Sequence, residues 1–401
     1  MSIADGWTIR SEAGIGNLVY CTHHGRGAAA CAWLVLTCIA AAMSGCETSP
    51  YTRHQHWRTD AALASPVDGA EMNNDLQAGV DEWLYTGDAF EATFIQPTDE
   101  HRKWPLKQWR REMIDLRRVG FNTVIIQWAE FDEQDFMMPD GDGLCLVERI
   151  VLAADEADVD VYVGLSLREA WYDTRNMTMR FMRGEYVRCK RVADWLYPRL
   201  KQYDAFRGWY IPHEVCGLSY TRDQRLLVLT FYKQLTAYLN GLDPLKAVLA
   251  SGYTNHDASS LLQFAKWYKM FLEDSGVDVL IFQDGAGLSG RTEWRNILPF
   301  ADALVSLRKK QFKGDVWLLA EIFTQTAGEP LDNRSFAAEP ADFERVREQL
   351  DGLGMMGTKL VVYSYFAYMR PSAGKAQAEL YEAYRRYINQ KIARASSLSA
   401  D

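Results

Sequence analysis

The sequence predicts an α/β fold of the (β/α)₈ TIM-barrel class, and three observations lead to it. Beyond residue 85, short β-branched or aromatic runs alternate with longer amphipathic stretches. The short runs number eight, and several are apolar almost throughout, as expected for parallel strands covered on both faces. A doubly wound open sheet is the alternative, but no Gly-x-Gly-x-x-Gly or Walker turn follows any run.

The strands and helices can be placed in order along the chain. The predicted strands are Phe90–Gln96, Thr123–Trp128, Val161–Leu167, Gly208–Pro212, Ala247–Ser251, Val277–Gln283, Val316–Ala320 and Leu360–Tyr365. Helices are predicted between them, as over residues 106–120, where apolar residues recur at helical spacing and Gly120 ends the helix. Residues 341–354 and 375–392 show a helical pattern before and after the last strand.

The N-terminal segment reads as an export signal. Ala28–Met43 is a 16-residue apolar run, shorter than the about 20 residues of a membrane-spanning helix. Ser44-Gly45-Cys46 follows and resembles a bacterial lipobox, in which the cysteine is acylated and becomes the first residue. A retained, uncleaved anchor is the alternative. We therefore predict a lipoprotein signal peptide over 1–46, a polar tether over 47–84 and the barrel over 85–395.

Composition narrows the classes of partner and cofactor. The 401 residues are 48% hydrophobic and carry a net charge of −9, a balance that would repel a phosphate backbone. We expect no nucleic-acid partner, no cofactor and no metal, because neither cysteine nor histidine spacing suggests a metal site. Outside the leader, the set Cys145, Cys189 and Cys216 allows one disulfide without requiring it.

Polar or aromatic residues end all eight predicted strands. In a barrel of this class the active site lies at the carboxyl ends of the strands. Glu214 and Glu321 each follow an apolar strand, where a carboxylate is costly unless it is paired or functional. Glycoside hydrolysis needs two carboxyl groups flanking the scissile bond, which makes this pair the catalytic candidates. The alternative is a structural ion pair with Arg168 or another cation at the barrel mouth.

A second set of strand-end residues suits recognition of a sugar. Amide, imidazole, guanidinium and carboxylate groups can bind hydroxyls, and aromatic faces can stack on sugar rings. The predicted substrate-binding residues are Gln96, Gln127, Trp128, Arg168, His213, Tyr253, Asn255, Asp284 and Tyr365. Each has a structural alternative: strand cap, packed histidine, turn residue before Gly285, or core aromatic. The abundance of aromatics, with 13 Trp and 20 Tyr, fits either a large core or sugar stacking.

Several motifs together resemble a known family. FIQP, NTVIIQW, GWYIPHE, DVLIFQDG and AEIF occur in that order across about residues 85–395. This combination resembles a bacterial family of barrel proteins catalogued as a domain of unknown function and grouped with glycoside-hydrolase-like barrels. The strand-four and strand-seven glutamates also resemble the clan of retaining glycosidases, which implies Glu214 as acid/base and Glu321 as nucleophile. The clan usually has Asn before the strand-four glutamate, whereas this sequence has His213, so retention and inversion both stay open.

The sequence thus predicts a lipid-anchored glycoside hydrolase of the periplasm or outer membrane. Its expected substrate is an exopolysaccharide or cell-envelope glycan, and its expected membrane attachment is through Cys46. A polysaccharide biosynthesis or export machinery is a candidate partner. The alternative is a non-catalytic glycan-binding lipoprotein of an export or biofilm system, which would have the same cleft and would tolerate loss of either glutamate.

Overall fold

The computed structural model describes six stretches of the chain. They are residues 89–217, 219–254, 260–288, 293–310, 312–328 and 331–398. The predicted signal peptide, the tether, Cys46 and Asn255 all lie outside the described residues. In the part that is described, no helix has the length and apolarity needed to span a membrane.

Within the described stretches, eight parallel strands form a closed barrel, as predicted. The strands are β1 Ala92–Ile95, β2 Thr123–Ile126, β3 Asp160–Gly164, β4 Phe206–Val215, β5 Ala247–Gly252, β6 Val279–Gln283, β7 Asp315–Glu321 and β8 Leu360–Tyr363. Each strand pairs in parallel with its neighbours in sequence, and β1 pairs with β8 to close the ring. In that closing pair, Ala92 lies opposite Val361. The protein is therefore a TIM barrel rather than an open sheet.

A long helix follows every barrel strand. The helices are α1 Leu106–Arg117, α2 Leu146–Glu156, α3 Met179–Leu200, α4 Arg222–Leu242, α5 Leu261–Asp274, α6 Leu298–Lys310, α7 Phe343–Gly354 and α8 Lys375–Leu398. Their boundaries follow local chemistry: Thr221 caps α4 through a capping box with Gln224, and α1 buries Trp109, Met113 and Leu116 on one face. Gly120, with φ of 97°, ends the turn after α1 in a conformation that favours glycine.

The hydrophobic core has two layers, because each strand alternates its side chains between two buried faces. The inner layer fills the barrel. It contains Phe94, Ile125, Tyr210, Leu249, Ile281, Trp317, Leu319 and Val361. The outer layer lies between strands and helices and contains residues of the opposite parity, such as Trp209, Ile211 and Leu318. This alternation decides which strand-end residues face the barrel mouth.

Shorter elements extend the mouth of the barrel. Glu130–Phe131, Gln134–Asp135 and Ser166–Leu167 form a small three-stranded sheet. Phe323–Ala327 and Ala337–Pro340 form an antiparallel hairpin after β7. Phe323 and Phe336 of this hairpin pack with Leu288 in a separate apolar cluster. The hairpin thus places aromatic side chains along the β7–β8 side of the mouth.

Several predicted strand boundaries differ from those of the structure. The fourth strand runs from Phe206 to Val215 and so includes Glu214, instead of ending at Pro212. The third is interrupted at Leu165, and the eighth ends at Tyr363 instead of Tyr365. The three described cysteines, Cys145, Cys189 and Cys216, are buried, and no disulfide joins them.

Candidate active site

Glu214 lies inside the mouth of the barrel, near the end of β4. It has the same strand parity as Tyr210 of the inner core layer and is only 3% exposed. Gln283 Nε2 donates to its Oε1 at 2.7 Å, whereas its Oε2 has no hydrogen-bond partner among the described residues. Its backbone carbonyl accepts from the Trp171 indole at 3.0 Å and from the Tyr220 hydroxyl at 3.3 Å. These hydrogen bonds therefore hold the Glu214 carboxyl group in place and leave its Oε2 available to a substrate.

The environment of Glu214 favours its protonated form. Burial, with a smaller contribution from the negative charge of Glu321, raises the pKa of Glu214 to about 8. The Gln283 amide and the Tyr172 hydroxyl oppose this shift without cancelling it. At neutral pH most Glu214 side chains therefore carry a proton, as a general acid must.

Glu321 is the last residue of β7 and also faces the mouth. It shares strand parity with Trp317 and Leu319 of the inner layer and is 4% exposed. The backbone N–H of Gly287 donates to its Oε2 at 2.8 Å, which stabilises a negative charge on the carboxylate. Strands β5 and β6 separate it from Glu214, and the end of β6 contacts both glutamates through Gln283 and Gly287. The structure thus brings the two predicted carboxyl groups to one mouth, on strands separated by two others.

Three further predicted residues share the inward parity. Gln96 and Gln127 follow Phe94 and Ile125 by two positions and are buried, and Gln96 Nε2 and Gln127 Oε1 have no partner among the described residues. Tyr253 follows β5 on the Leu249 side and is also buried. These groups lie at the strand ends that surround the glutamates.

Asp284, in contrast, points away from the mouth because it follows Gln283 by one residue. Its Oδ2 accepts from Gln349 Nε2 at 2.6 Å, and its Oδ1 accepts from the backbone N–H of Ala286 at 3.0 Å and of Glu321 at 3.1 Å. Burial raises the pKa of Asp284, although these donors and the charge of Arg345 oppose the shift. The structure places this carboxylate behind Glu321 and not in the cleft.

His213 and Arg168 belong to a buried network outside the barrel wall. The side chain of His213 lies on the opposite face of β4 from Glu214, and its Nε2 is 2.9 Å from Glu185 Oε2 of α3. Arg168 pairs with the same carboxylate. Burial alone would raise the pKa of Glu185, but His213 and Arg168 outweigh it and hold that pKa below its usual value. Arg168 therefore pairs with Glu185 and not with either candidate catalytic glutamate.

Two predicted stacking residues lie in the outer core. Trp128 is fully buried and stacks on Phe131, with ring centroids 4.7 Å apart. Tyr365 is fully buried against Phe121 and Phe366, since the chain turns after Tyr363. The structure does not bring either ring into the mouth.

Several residues of the mouth were not among the predicted site residues. Tyr172 lies in a short 3₁₀ helix after β3. Burial raises the pKa of its hydroxyl well above the usual value, and nearby polar groups add to the shift: Glu214, Tyr210, Tyr253 and Tyr363. Gln283 was visible as a strand end, but its bond to Glu214 was not. On the other side, Tyr363 and Tyr368 are half-buried, and the Tyr368 ring stacks on Phe323 at 5.1 Å. The only sequence signal for Tyr172 was its position a few residues past a strand end.

The family comparison covers most of the barrel. A family described as "Domain of unknown function (DUF4434)" matches residues 90–375. No curated protein has a sequence that matches this chain.

Comparison with solved structures gives glycoside-hydrolase barrels. A "putative alpha-L-fucosidase" from Bacteroides thetaiotaomicron superposes with a TM-score of 0.61 at 19% identity, covering 75% of this chain and 95% of its own. An endo-1,4-beta-mannanase from Rhizomucor miehei has a TM-score of 0.46 at 12% identity, covering 69% and 85%. A xylanase from Thermoanaerobacterium saccharolyticum has a TM-score of 0.45 at 13% identity, covering 71% and 87%. At 19% identity, the likeness to the first of these structures shows the fold alone.

Proposed function

The chain belongs to the DUF4434 family, and we propose that it is a glycoside hydrolase with Glu214 as acid/base and Glu321 as nucleophile or base. Its substrate is an exopolysaccharide or another glycan of the cell envelope. The enzyme works outside the cytoplasm, anchored to a periplasmic or outer-membrane surface through an acylated Cys46.

One observation carries the proposal: two buried carboxyl groups share the barrel mouth in different electrostatic environments. Burial raises the pKa of Glu214 to about 8, while a backbone N–H stabilises charge on Glu321. A glycosidase needs this division, with one group able to give a proton and the other negatively charged. A barrel that served only as a scaffold would gain nothing from holding two carboxyl groups in a buried mouth.

The chemistry follows from the two roles. The protonated Glu214 gives its proton to the leaving glycosidic oxygen as the bond to the anomeric carbon breaks. Glu321 then either bonds to that carbon, giving a glycosyl-enzyme that water hydrolyses, or removes a proton from the attacking water. In the first route, Glu214 returns as the base that activates the water.

The charge of the protein and the side chains at the mouth narrow the class of glycan that we expect as substrate. A protein with a net charge of −9 repels polyanions, so we expect neutral glycans or partly deacetylated amino-sugar glycans rather than uronate polymers. The half-buried rings of Tyr363 and Tyr368 offer apolar faces on which a sugar ring can stack. The polar ends of Gln96 and Gln127 suit hydroxyl recognition.

The decisive experiment is a hydrolysis screen on a glycan array. Residues 57–401, which contain the whole described barrel, are compared with Glu214→Gln and Glu321→Gln. Glu169→Gln, a change at an exposed glutamate after β3, is the matched control. We expect release of reducing ends by the parent and the control, and a loss of at least about 10³-fold in both site variants.

Two other outcomes would change the conclusion. Hydrolysis that survives both Glu214→Gln and Glu321→Gln would refute the assigned roles. Glycan binding by all four proteins with no product from any would refute the enzyme and favour a non-catalytic glycan-binding lipoprotein of an export or biofilm system.

The lipid anchor is tested separately. Cells expressing the full chain are labelled with an alkyne-tagged fatty acid, and Cys46→Ser is the variant. We expect label on the parent and none on the variant. Equal labelling of the two proteins would refute acylation at Cys46.

A further inference from the structure

Glu321 is held by its backbone as well as by its carboxylate. Its N–H donates to Asp284 Oδ1 at 3.1 Å, and its C=O accepts from Arg345 Nη1 at 3.2 Å and from Gln349 Nε2 at 3.3 Å. Both donor side chains come from α7, the helix that follows β7. The residue that ends a barrel strand is therefore fixed from the helix layer behind it.

Asp284 connects this backbone clamp to the loop that binds the Glu321 side chain. The same Oδ1 also accepts from the N–H of Ala286 at 3.0 Å, and the next residue, Gly287, donates its N–H to Glu321 Oε2 at 2.8 Å. One carboxylate thus fixes both the backbone of Glu321 and the loop whose amide contacts its carboxylate. A shift of Asp284 would move both contacts together.

The Gly287 loop has little freedom to adjust. A Cβ at Gly287 would lie 2.5 Å from the ring of Phe323, a contact that side chains do not make. Phe323 is itself buried, and its backbone carbonyl accepts from Arg345. The loop therefore keeps its position only while Asp284 and Phe323 keep theirs.

Gln349 orients Asp284. It is fully buried on the face of α7 that also contains Val346, Leu350 and Leu353, and its Nε2 donates to Asp284 Oδ2 at 2.6 Å. An apolar residue would join α7 to the barrel without the cost of burying an amide. The amide instead contacts both Asp284 and the backbone of Glu321.

We propose that Gln349 and Asp284 are positioning residues that hold Glu321 and its Gly287 contact in the orientation needed for reaction. The inference rests on the proposed function for its chemical consequence, but the geometry it predicts can be measured without any substrate. Neither residue contacts the reacting atoms; each acts through Glu321.

A donor–acceptor swap tests the proposal in the full chain. Asp284→Asn either sets two N–H₂ groups together or makes the Gln349 amide rotate and give up its bond to the Glu321 carbonyl. Gln349→Glu sets two carboxyl groups together, whereas the double variant restores one bond between positions 284 and 349 with donor and acceptor reversed. Arg347→Gln, at a half-exposed residue of α7 that pairs with Glu344, is the matched control. Amide hydrogen exchange is followed in segments 284–288 and 319–323, with segment 123–126 of β2 as an internal reference.

We expect each single variant to exchange about tenfold faster in the two site segments, with segment 123–126 unchanged. The double variant should return most of the way to the wild-type rate. Unchanged exchange in the site segments, or an equal rise in segment 123–126, would overturn the positioning role. If a single variant does not fold, the double variant decides, because only the proposed bond predicts that it folds with slow exchange.

Kinetics on the glycan identified by the array screen then test the consequence. We expect kcat to fall about tenfold in each single variant, with KM changed less than about twofold, because the contact acts through Glu321 rather than on the substrate. Faster hydrogen exchange in the site segments with an unchanged kcat would overturn the link between the position of Glu321 and the reaction rate. A wild-type protein without activity would refute the glycosidase while leaving the exchange result to decide the positioning.

Discussion

At the scale of single residues, the two candidate catalytic carboxyl groups differ by what surrounds them. Glu214 is buried, with the Gln283 amide donating to its Oε1 and no hydrogen-bond partner for its Oε2 among the described residues. The Glu321 carboxylate accepts a hydrogen bond from the backbone N–H of Gly287. Burial penalises the charged form of Glu214 and raises its pKa, whereas the Gly287 N–H stabilises negative charge on Glu321.

The pKa of Glu214 predicts the alkaline limb of the activity profile. Only the protonated carboxyl can act as the acid, so kcat/KM should fall about tenfold per pH unit above pH about 8. The measurement is the pH dependence of kcat/KM on the glycan found in the screen, with Glu169→Gln as control. A limb that persists unchanged in Glu214→Gln would assign it to another group.

The same shift predicts a pH-dependent cost in stability. The unfolded chain loses the Glu214 proton near the ordinary glutamate pKa of 4.5, whereas the folded protein keeps it up to a pKa of about 8. The unfolded state is therefore favoured progressively as pH rises between these values, by roughly 3 to 5 kcal/mol at most. We expect Glu214→Gln to raise Tm at pH 8.5 and to leave it nearly unchanged at pH 4.5. Equal shifts at both values would contradict the buried neutral carboxyl.

At the scale of elements, strand alternation sorts the mouth from the helix layer. Glu214 and His213 are neighbours in sequence, yet one faces the barrel interior and the other contacts Glu185 of α3. The same step separates Gln283 from Asp284. The histidine that departs from the glycosidase clan pattern therefore supports the barrel wall and does not occupy the cleft.

Close pairing of β4 with β5 depends on a glycine. Gly208 lies opposite Ala247, and a Cβ there would lie 1.9 Å from the Ala247 carbonyl oxygen. Gly208→Ala should destabilise the protein by about 3 kcal/mol, because backbone must move to relieve the overlap. The matched control is Gly241→Ala in α4, where nothing lies within 4 Å of the added carbon and a gain of about 0.5–1 kcal/mol is expected. Denaturant unfolding measures both, and a Gly208→Ala protein as stable as wild type would contradict the pairing.

At the scale of the whole molecule, the last helix, α8, packs against the chain at the start of β1. The Tyr384 hydroxyl of α8 accepts from the backbone N–H of Phe90 at 2.9 Å, and the two rings stack at 5.4 Å. The family match ends at residue 375, where α8 begins. The last helix therefore lies almost entirely beyond the matched region, although it packs against Phe90, just before β1, and Tyr365, just after β8.

Removal of that helix tests closure of the barrel. We expect a chain ending at residue 374 to lose cooperative thermal unfolding, because Phe90 before β1 and Tyr365 after β8 would be exposed to water. Tyr384→Phe is the milder variant and should cost about 1–3 kcal/mol, since a buried N–H loses its acceptor. Circular dichroism melting measures both. A truncated chain that melts cooperatively near the wild-type Tm would show that closure does not need α8.

The amino-acid sequence alone was sufficient to predict the barrel and the approximate positions of its eight strands, because apolar runs, helical periodicity and turn residues are local signals. It could not predict which face each strand end presents. Both faces of a parallel strand are apolar, so the pattern does not distinguish Glu214 from His213 or Gln283 from Asp284. Nor could it predict the contacts of Gln349 or Tyr172, which come from distant segments. Those were decided by tertiary structure, because the tilt and closure of the barrel determine which alternate side chains meet at its mouth.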